Sequence, residues 1–326
     1  MSYHGAAAAS GLVTPRVDRF AGMKRLTFVL SVLLVITAIG AAVYIVLYEP
    51  EPASPAASTE VDTGGEAVRL ATWNLYNMGR TKNDTEIAFM AEQLRDFDVV
   101  AIQEVVTSPP GAQAIARLDA ALDRTGFQWD YRLSDPTTGD GTERYAFLWK
   151  PSRVRLAGQA WLEASLAGPI DREPYLARFE HRASGQQLLV ASFHAVPRSK
   201  DPEREVVLLD ALHRRYAPDH LIILGDFNLD EDHEAWDGLR TLGFAQVLDD
   251  QPTSLRRKRR DGPNGHLANE YDNIFYETSA LRATGGGIID FTTSFGTLRE
   301  ARRISDHLPV YMNVRWTQPA AASAAP

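Results

Sequence analysis

Residues able to bind a hard cation or move a proton recur in this chain at the edges of short apolar runs. Asn74 follows LATW, Glu104 follows DVVAIQ, His194 follows LLVASF, and Asp226 and Asn228 follow LIIL. Asp272 opens DNIFY, and the pair Asp306-His307 precedes LPVYMNV. Carboxylates, amides and imidazoles gathered at strand ends suit a divalent cation held by oxygen and acid–base work on a phosphate ester. Each signal has a plainer reading. Asn74 is also the type of residue that ends a strand by bonding its own backbone, and Asp226 with Asn228 can close a strand in an Asx turn. Asp306-His307 is different, because two ionisable groups placed beside a buried strand have few structural uses.

The elements that must position these residues are short. Val68–Trp73, Asp98–Gln103, Tyr145–Trp149, Gln187–Phe193, Leu221–Leu224, Asp272–Tyr276 and Val310–Val314 are apolar and β-branched, as strands are. Between them Ile87, Met90, Ala91 and Leu94 share one helical face, as do Ile115, Leu118 and Leu122, and again Val206, Leu209 and Leu212. The alternation predicts an α/β fold of roughly a dozen strands with helices outside a layered sandwich. Met78 and Met90 are expected in the core, and Arg144 is expected to pair with its neighbour Glu143.

Composition limits the chemistry. The chain of 326 residues is 44% hydrophobic, has a net charge of −8 and contains no Cys. Thiolate nucleophiles, disulfide frameworks and Cys-ligated metals are therefore excluded, and a metal must sit on oxygen or imidazole. A polyanionic substrate must be met by local positive charge or by a cation.

Leu26–Tyr48 is an apolar run without charge or Pro, long enough to cross a bilayer as a helix. Arg16, Arg19, Lys24 and Arg25 precede it, while Glu49, Glu51, Glu60, Asp62 and Glu66 follow before the next base, Arg69. The positive-inside rule puts residues 1–25 in the cytoplasm and the rest outside, as a single-pass membrane protein. A cleaved signal peptide is the rival reading, disfavoured because the run exceeds a normal h-region. Residues 49–67 read as a flexible linker, 68–316 as the catalytic domain, and Thr317–Pro326 as a disordered tail.

The motifs WN, IQE, ERYAFLW, FH-x-x-P, GDFN, YDNI and SDHLPV occur in this order between about Leu70 and Val314. Together they resemble the endonuclease/exonuclease/phosphatase superfamily, in its deoxyribonuclease I-like branch. The resemblance implies a four-layer α/β sandwich of two stacked mixed sheets and Mg2+- or Mn2+-dependent phosphodiester hydrolysis. It makes Glu104 the metal ligand, helped by Asn74 and Asp306. It makes His307 the general base oriented by Asp272, and His194, oriented by Glu143, the group that stabilises the phosphate or protonates the leaving oxygen. Asp226 and Asn228 would orient the nucleophile and hold phosphoryl oxygens, and Arg172 in DREP, with Asn74, would contact the scissile phosphate.

Two positions depart from that branch. Where its double-strand nickase carries an arginine and a tyrosine that enter the minor groove, this chain has Val106 and Gly141. It adds a basic run, Arg256, Arg257, Lys258, Arg259 and Arg260, ahead of Asp272, which suits a phosphate backbone or an anionic lipid surface and has a solvated loop as its plainer reading. The leading expectation is a monomeric, membrane-anchored nuclease acting on DNA or RNA outside the cytoplasm. A phospholipid or phosphoinositide phosphoesterase and a catalytically silent binding module are the alternatives.

Overall fold

The computed structural model describes residues 67–317. The expected anchor Leu26–Tyr48, its flanks up to residue 66 and the tail from residue 318 lie outside the described residues. No helix among the described residues is long and apolar enough to cross a membrane.

Thirteen strands are described: β1 Val68–Met78, β2 Val99–Val105, β3 Asp130–Leu133, β4 Arg144–Trp149, β5 Val154–Leu156, β6 Trp161–Leu162, β7 Tyr175–His181, β8 Gln187–His194, β9 Leu221–Asp226, β10 Phe244–Gln246, β11 Asp272–Glu277, β12 Leu281–Ile288 and β13 Val310–Trp316. One sheet runs β12-β13-β1-β2-β4-β3, the other β10-β11-β9-β8-β7-β5 with β6 beside β7. Each sheet contains one parallel pair among its described strands, β1 with β2 and β8 with β9. The remaining pairs are antiparallel.

The layers follow from the two-residue period of a strand. Val68 and Leu70, Val99 and Ala101, Tyr145 and Phe147, Leu188 and Val190, Ile222 and Leu224, and Ile274 form the buried layer between the sheets. Their neighbours of opposite parity, such as Ala71, Trp73, Ile102 and Leu148, turn outward under the helices Asp84–Leu94, Pro109–Asp123 and Leu298–Ile304. On the other flank Leu189, Ala191, Leu221 and Ile223 pack under Val206, Leu209, Leu212 and Leu239. The expected arrangement of two stacked mixed sheets with flanking helices is observed. Met78 and Met90 are fully buried, as expected.

Two local expectations are corrected. The stripe Val206, Leu209 and Leu212 is divided between two short helices, Glu203–Val206 and Asp210–Tyr216. Glu205, fully buried, holds the first of them by accepting hydrogen bonds from the amides of Asp171 and Val196, each at 2.8 Å. Arg144 does not pair with Glu143; its Nη1 donates to the Ser134 carbonyl at 2.6 Å. Adjacent residues along an extended backbone point to opposite faces, so sequence adjacency there separates side chains.

Inside the GDFN motif Gly225 has φ +143°, and a Cβ at that position would lie 1.9 Å from the Phe193 carbonyl oxygen on the paired strand β8. Gly225→Ala combines backbone strain with a steric overlap next to Asp226. We expect a loss of roughly 2–4 kcal/mol in urea unfolding, with the m-value unchanged.

Candidate active site

The parallel pairs bring four strand C-termini to one edge of the sandwich. In register Asn74 lies beside Gln103, and His194 beside Asp226. The antiparallel partners enter that edge at their N-termini, so Asp272 lies opposite Asp226 and Arg144 opposite Val105. Parity then decides which way the side chains face. Asn74, His194, Asp226 and Asp272 continue the even-numbered faces of β1, β8, β9 and β11, and Glu143 the odd-numbered face of β4, that point between the sheets. Where apolar packing ends, these residues meet.

Asn74 is fully buried, and its Nδ2 donates to Glu104 Oε1 at 3.0 Å and to Asp226 Oδ2 at 2.9 Å. The amide thus links a carboxylate of one sheet to a carboxylate of the other. The Asp226 Oδ2 atom lies 3.5 Å from both His194 Nε2 and His307 Nε2. Each imidazole has its own second carboxylate: His194 Nδ1 is 2.9 Å from Glu143 Oε2, and His307 Nδ1 is 2.7 Å from Asp272 Oδ2. Two His–carboxylate pairs therefore flank one shared oxygen. Glu143 Oε1 also accepts the Glu104 amide at 3.2 Å.

Both readings of the strand-end residues are realised together. Asn74 Oδ1 accepts the Tyr76 amide at 3.0 Å and Asp226 Oδ1 accepts the Asn228 amide at 3.0 Å, which are the local turns expected of them. Their other polar atoms serve the cluster. The same bonds stabilise unusual backbone: Tyr76, Asn77, Glu104 and Asn228 have φ of 43°, 55°, 59° and 49°, and Glu104 Oε2 accepts the Asn77 amide at 2.8 Å. Left-handed conformations at non-glycine residues cost about 1–3 kcal/mol each and persist where surrounding bonds over-determine them. A register irregularity in β2 between Ile102 and Val105 lets Glu104, of the wrong parity for an inner face, still reach the site.

Glu104, Glu143, His194, Asp226, Asn228, Arg172 and His307 line a cavity of about 620 Å³. Burial pulls His307 towards the neutral form, but Asp272, Asp226 and Asp306 together carry its pKa well above the usual histidine value. Burial likewise lowers His194 and is outweighed chiefly by Glu143, leaving it raised. Arg172 is held through Nε on the His194 carbonyl at 2.9 Å and through Nη2 on the Ala195 carbonyl, so two of its three nitrogens are bound to backbone. The third nitrogen, Nη1, lies 4.0 Å from Asp171 Oδ2, so the two-oxygen fork expected of Arg172 is reduced to this one nitrogen. Asp306 approaches His307 from the neighbouring side, outside the lining of this cavity. It lines a neighbouring groove, and its Oδ2 receives Arg302 Nη2 at 2.9 Å.

The donor chemistry fits a divalent cation. Asp306 Oδ1 and Asp272 Oδ1 are buried without a hydrogen-bond partner, and ligand atoms of Asp226, Asp272 and His307 lie within 4.8 Å of one another. A cluster of carboxylates that must admit a phosphodiester anion is short of positive charge, and oxygen-rich ligands select hard ions.

Several supporting residues carry no signal in the sequence. Thr253, fully buried, donates through Oγ1 to Asp272 Oδ2 at 2.6 Å and accepts the Asp272 amide at 3.0 Å. Ser305 donates to the Asn74 carbonyl at 2.5 Å and accepts the His307 amide at 3.0 Å. Arg80 lines the cavity as well. Ser305 belongs to SDHLPV, which could have flagged it; Thr253 and Arg80 lie in loops without periodicity.

Residues 71–307 match the Endonuclease/Exonuclease/phosphatase family. The chain belongs to that family. It is 33% identical over 269 residues to a deoxyribonuclease from Thioalkalivibrio sp. (strain K90mix), covering 75% of this chain and 70% of that one. Against deoxyribonuclease-1-like 1 of Sus scrofa it is 29% identical over 266 residues, covering 76% and 81%. Its fold matches an endonuclease/exonuclease/phosphatase family protein from Bacteroides thetaiotaomicron with a TM-score of 0.58 at 16% identity, covering 78% of this chain and 99% of the other. Family membership in the deoxyribonuclease I-like branch makes this a phosphodiester-hydrolysing enzyme.

A second acidic group, Glu231, Asp250 and Glu270, lies outside the family motifs. Burial raises Glu270 to about 7, with Glu231 and Asp230 adding to it. A carboxyl raised in the folded state favours folding while protonated, and that contribution is lost as pH rises from about 4.5 through about 7. Glu270→Gln should therefore raise the melting temperature at pH 8 by roughly 2–4 °C and leave it unchanged at pH 5, measured in chelator by scanning calorimetry.

Proposed function

We propose that this chain is a divalent-metal-dependent nuclease that cleaves phosphodiester bonds of DNA, tethered by Leu26–Tyr48 with its catalytic domain outside the cytoplasm. The observation that carries the catalytic reading is the paired arrangement of His194 with Glu143 and His307 with Asp272 around Asp226 Oδ2. An in-line displacement at phosphorus needs a proton removed from water on one side and charge relieved on the leaving oxygen on the other. His307, with its tautomer set by Asp272, is placed to take the first proton. His194, oriented by Glu143, is placed to stabilise or protonate the leaving oxygen. Asp226 orients both rings and the entering water, Asn228 at the cavity wall holds a phosphoryl oxygen, and Arg172 Nη1, on the same cavity, contacts another. Glu104 and the unpartnered oxygen of Asp306 would hold Mg2+ or Mn2+, with Asn74 fixing Glu104; bound there, the ion polarises the phosphate and offsets the carboxylate charge.

Deoxyribonuclease relatives support DNA over RNA as substrate. The charge asymmetry around Leu26–Tyr48 supports the location. A lipid phosphodiester is the second reading, favoured by the exposed basic run Arg257–Arg260.

The full-length protein in detergent should nick closed-circular plasmid with Mg2+ or Mn2+ and stop on addition of EDTA. His307→Ala should lower kcat by about 10²–10⁴ with KM little changed. Chelator-insensitive cleavage, or full activity of that variant, rejects the mechanism. Turnover of anionic lipid vesicles in place of plasmid selects the second reading, and no turnover of any phosphoester leaves a binding module.

A further inference from the structure

The basic run forms one wall of a groove that adjoins the catalytic cavity at His307. Arg256–Arg260 line a cavity of about 710 Å³ whose other walls include Tyr271, Arg302 and His307. His307 also lines the catalytic cavity, so the two spaces share the residue placed to accept the proton. No carboxylate among the described residues pairs with any of the five basic side chains; Arg257–Arg260 are exposed, and Arg256 Nε is buried without a partner. By contrast Arg198 pairs with Asp230, and Arg302 on the wall of the same groove pairs with Asp306. Five adjacent uncompensated cations repel one another and are retained at an electrostatic cost that a polyanion relieves.

A solvated loop with no partner would explain the charge but not the backbone. The segment is bonded directly to the catalytic one: the Leu255 amide donates to the Asp306 carbonyl at 2.7 Å, the Leu308 amide to the Thr253 carbonyl at 2.8 Å, and Ser254 forms a β-bridge with His307. Arg302 reaches the Leu255 carbonyl with one nitrogen and Asp306 with another. Within the loop the Arg256 amide donates to the His266 carbonyl at 2.8 Å and the Arg260 amide to the Gly265 carbonyl at 2.7 Å. The cations are thus carried on backbone held at a set distance from the scissile position. The Tyr271 ring stacks near His307, centroids 6.5 Å apart at 29°, and presents an aromatic surface to the basic groove.

Resting on the proposed phosphodiesterase reading, we infer that this groove is the track for one strand of a polynucleotide beyond the scissile phosphate. Its successive phosphates lie along Arg256–Arg260, and the nucleobase next to the cut lies against Tyr271. A flat anionic membrane would meet the exposed tips of the run but not His307, whose side chain is only 12% exposed. The groove therefore selects a polymer over a short diester. Substrate length and salt should act on KM through this groove, while the chemistry at His307 is independent of it.

The triple variant Arg257→Gln/Lys258→Gln/Arg259→Gln tests this in the full-length protein, since all three side chains are exposed. Its kcat/KM is compared with that of the unmodified enzyme across a salt series, on a 20-nucleotide DNA strand and on bis(4-nitrophenyl) phosphate. On the oligonucleotide the variant should lose roughly ten-fold or more, through KM. Its log–log salt slope should be shallower by about 2, the amount expected for three lost phosphate contacts to a single strand. Turnover of the small diester should stay within about two-fold. Binding of the same oligonucleotide, labelled with a fluorophore, is measured in a His307→Ala background, where the triple substitution should flatten the salt slope equally. An unchanged slope overturns the inference. So does an equal loss on the small diester, which would put the run at the reacting centre. Loss of binding to phosphatidylserine vesicles, with the oligonucleotide slope intact, assigns the run to lipid and also overturns it. An unmodified enzyme that hydrolyses neither substrate, yet binds the oligonucleotide with a salt slope the triple substitution flattens, refutes the catalytic reading and upholds the groove.

Discussion

Two sheets packed face to face can share an inner layer only if each strand alternates, and that alternation places the chemistry of this enzyme. Along β4, β9 and β11 the inner face is apolar until the edge of the sandwich, where the next or preceding residue of the same parity is Glu143, Asp226 or Asp272; on β1 and β8 the buried, hydrogen-bonded Thr72 and Ser192 come just before Asn74 and His194. No loop has to carry these groups into place. The parallel pairs β1 with β2 and β8 with β9 set their C-terminal ends at the same edge, and hydrogen bonding between Asn74 and Asp226 ties the sheets together there. A rigid scaffold of this kind is what general acid–base work requires, because reacting atoms must be held to within a fraction of an ångström.

The cluster is built from groups that are costly to bury unless each is paired. Asn74 occupies both amide hydrogens on carboxylates, each imidazole has a carboxylate on Nδ1, and Thr253 and Ser305 bond Asp272 and the His307 amide. The exceptions are informative. Asp272 Oδ1 and Asp306 Oδ1 remain without partners, and both imidazoles are drawn towards the charged form by the surplus of carboxylates. Surplus negative charge beside an anionic substrate is the electrostatic reason for expecting a cation here.

Much of this could be read from residue order because the catalytic residues lie within one or two positions of strand ends, where apolar runs mark the boundary. Asn74, His194, Asp226 and Asp272 are of that kind. Glu104 was legible by its place at the end of an apolar run, but its parity is wrong for the inner face, and a backbone irregularity with φ of 59° corrects it. Thr253 and Arg80 were not legible, since their loops have no period and their partners lie far away in sequence. Arg172 was identified by type, but the two backbone carbonyls that bind it, and so limit what it offers a phosphate, belong to β8 and the residue after it. The helix expected through Val206, Leu209 and Leu212 kept its buried face but not its continuity, because a buried Glu205 bonds to segments that periodicity does not reveal.

By itself the sequence determined the α/β class, the inner and outer faces of the main strands, and the residue types of a phosphoester-cleaving centre, because these depend on periods of two and of three to four and on side-chain chemistry. It determined likewise the basic run Arg256–Arg260 and the apolar run Leu26–Tyr48. Only the tertiary structure decided that two His–carboxylate pairs share Asp226 Oδ2, that Asp306 turns to Arg302, and that the basic run is bonded to the backbone of the catalytic histidine. Those contacts join residues far apart along the chain, and such pairings arise from sheet register and loop closure, for which local sequence carries no code.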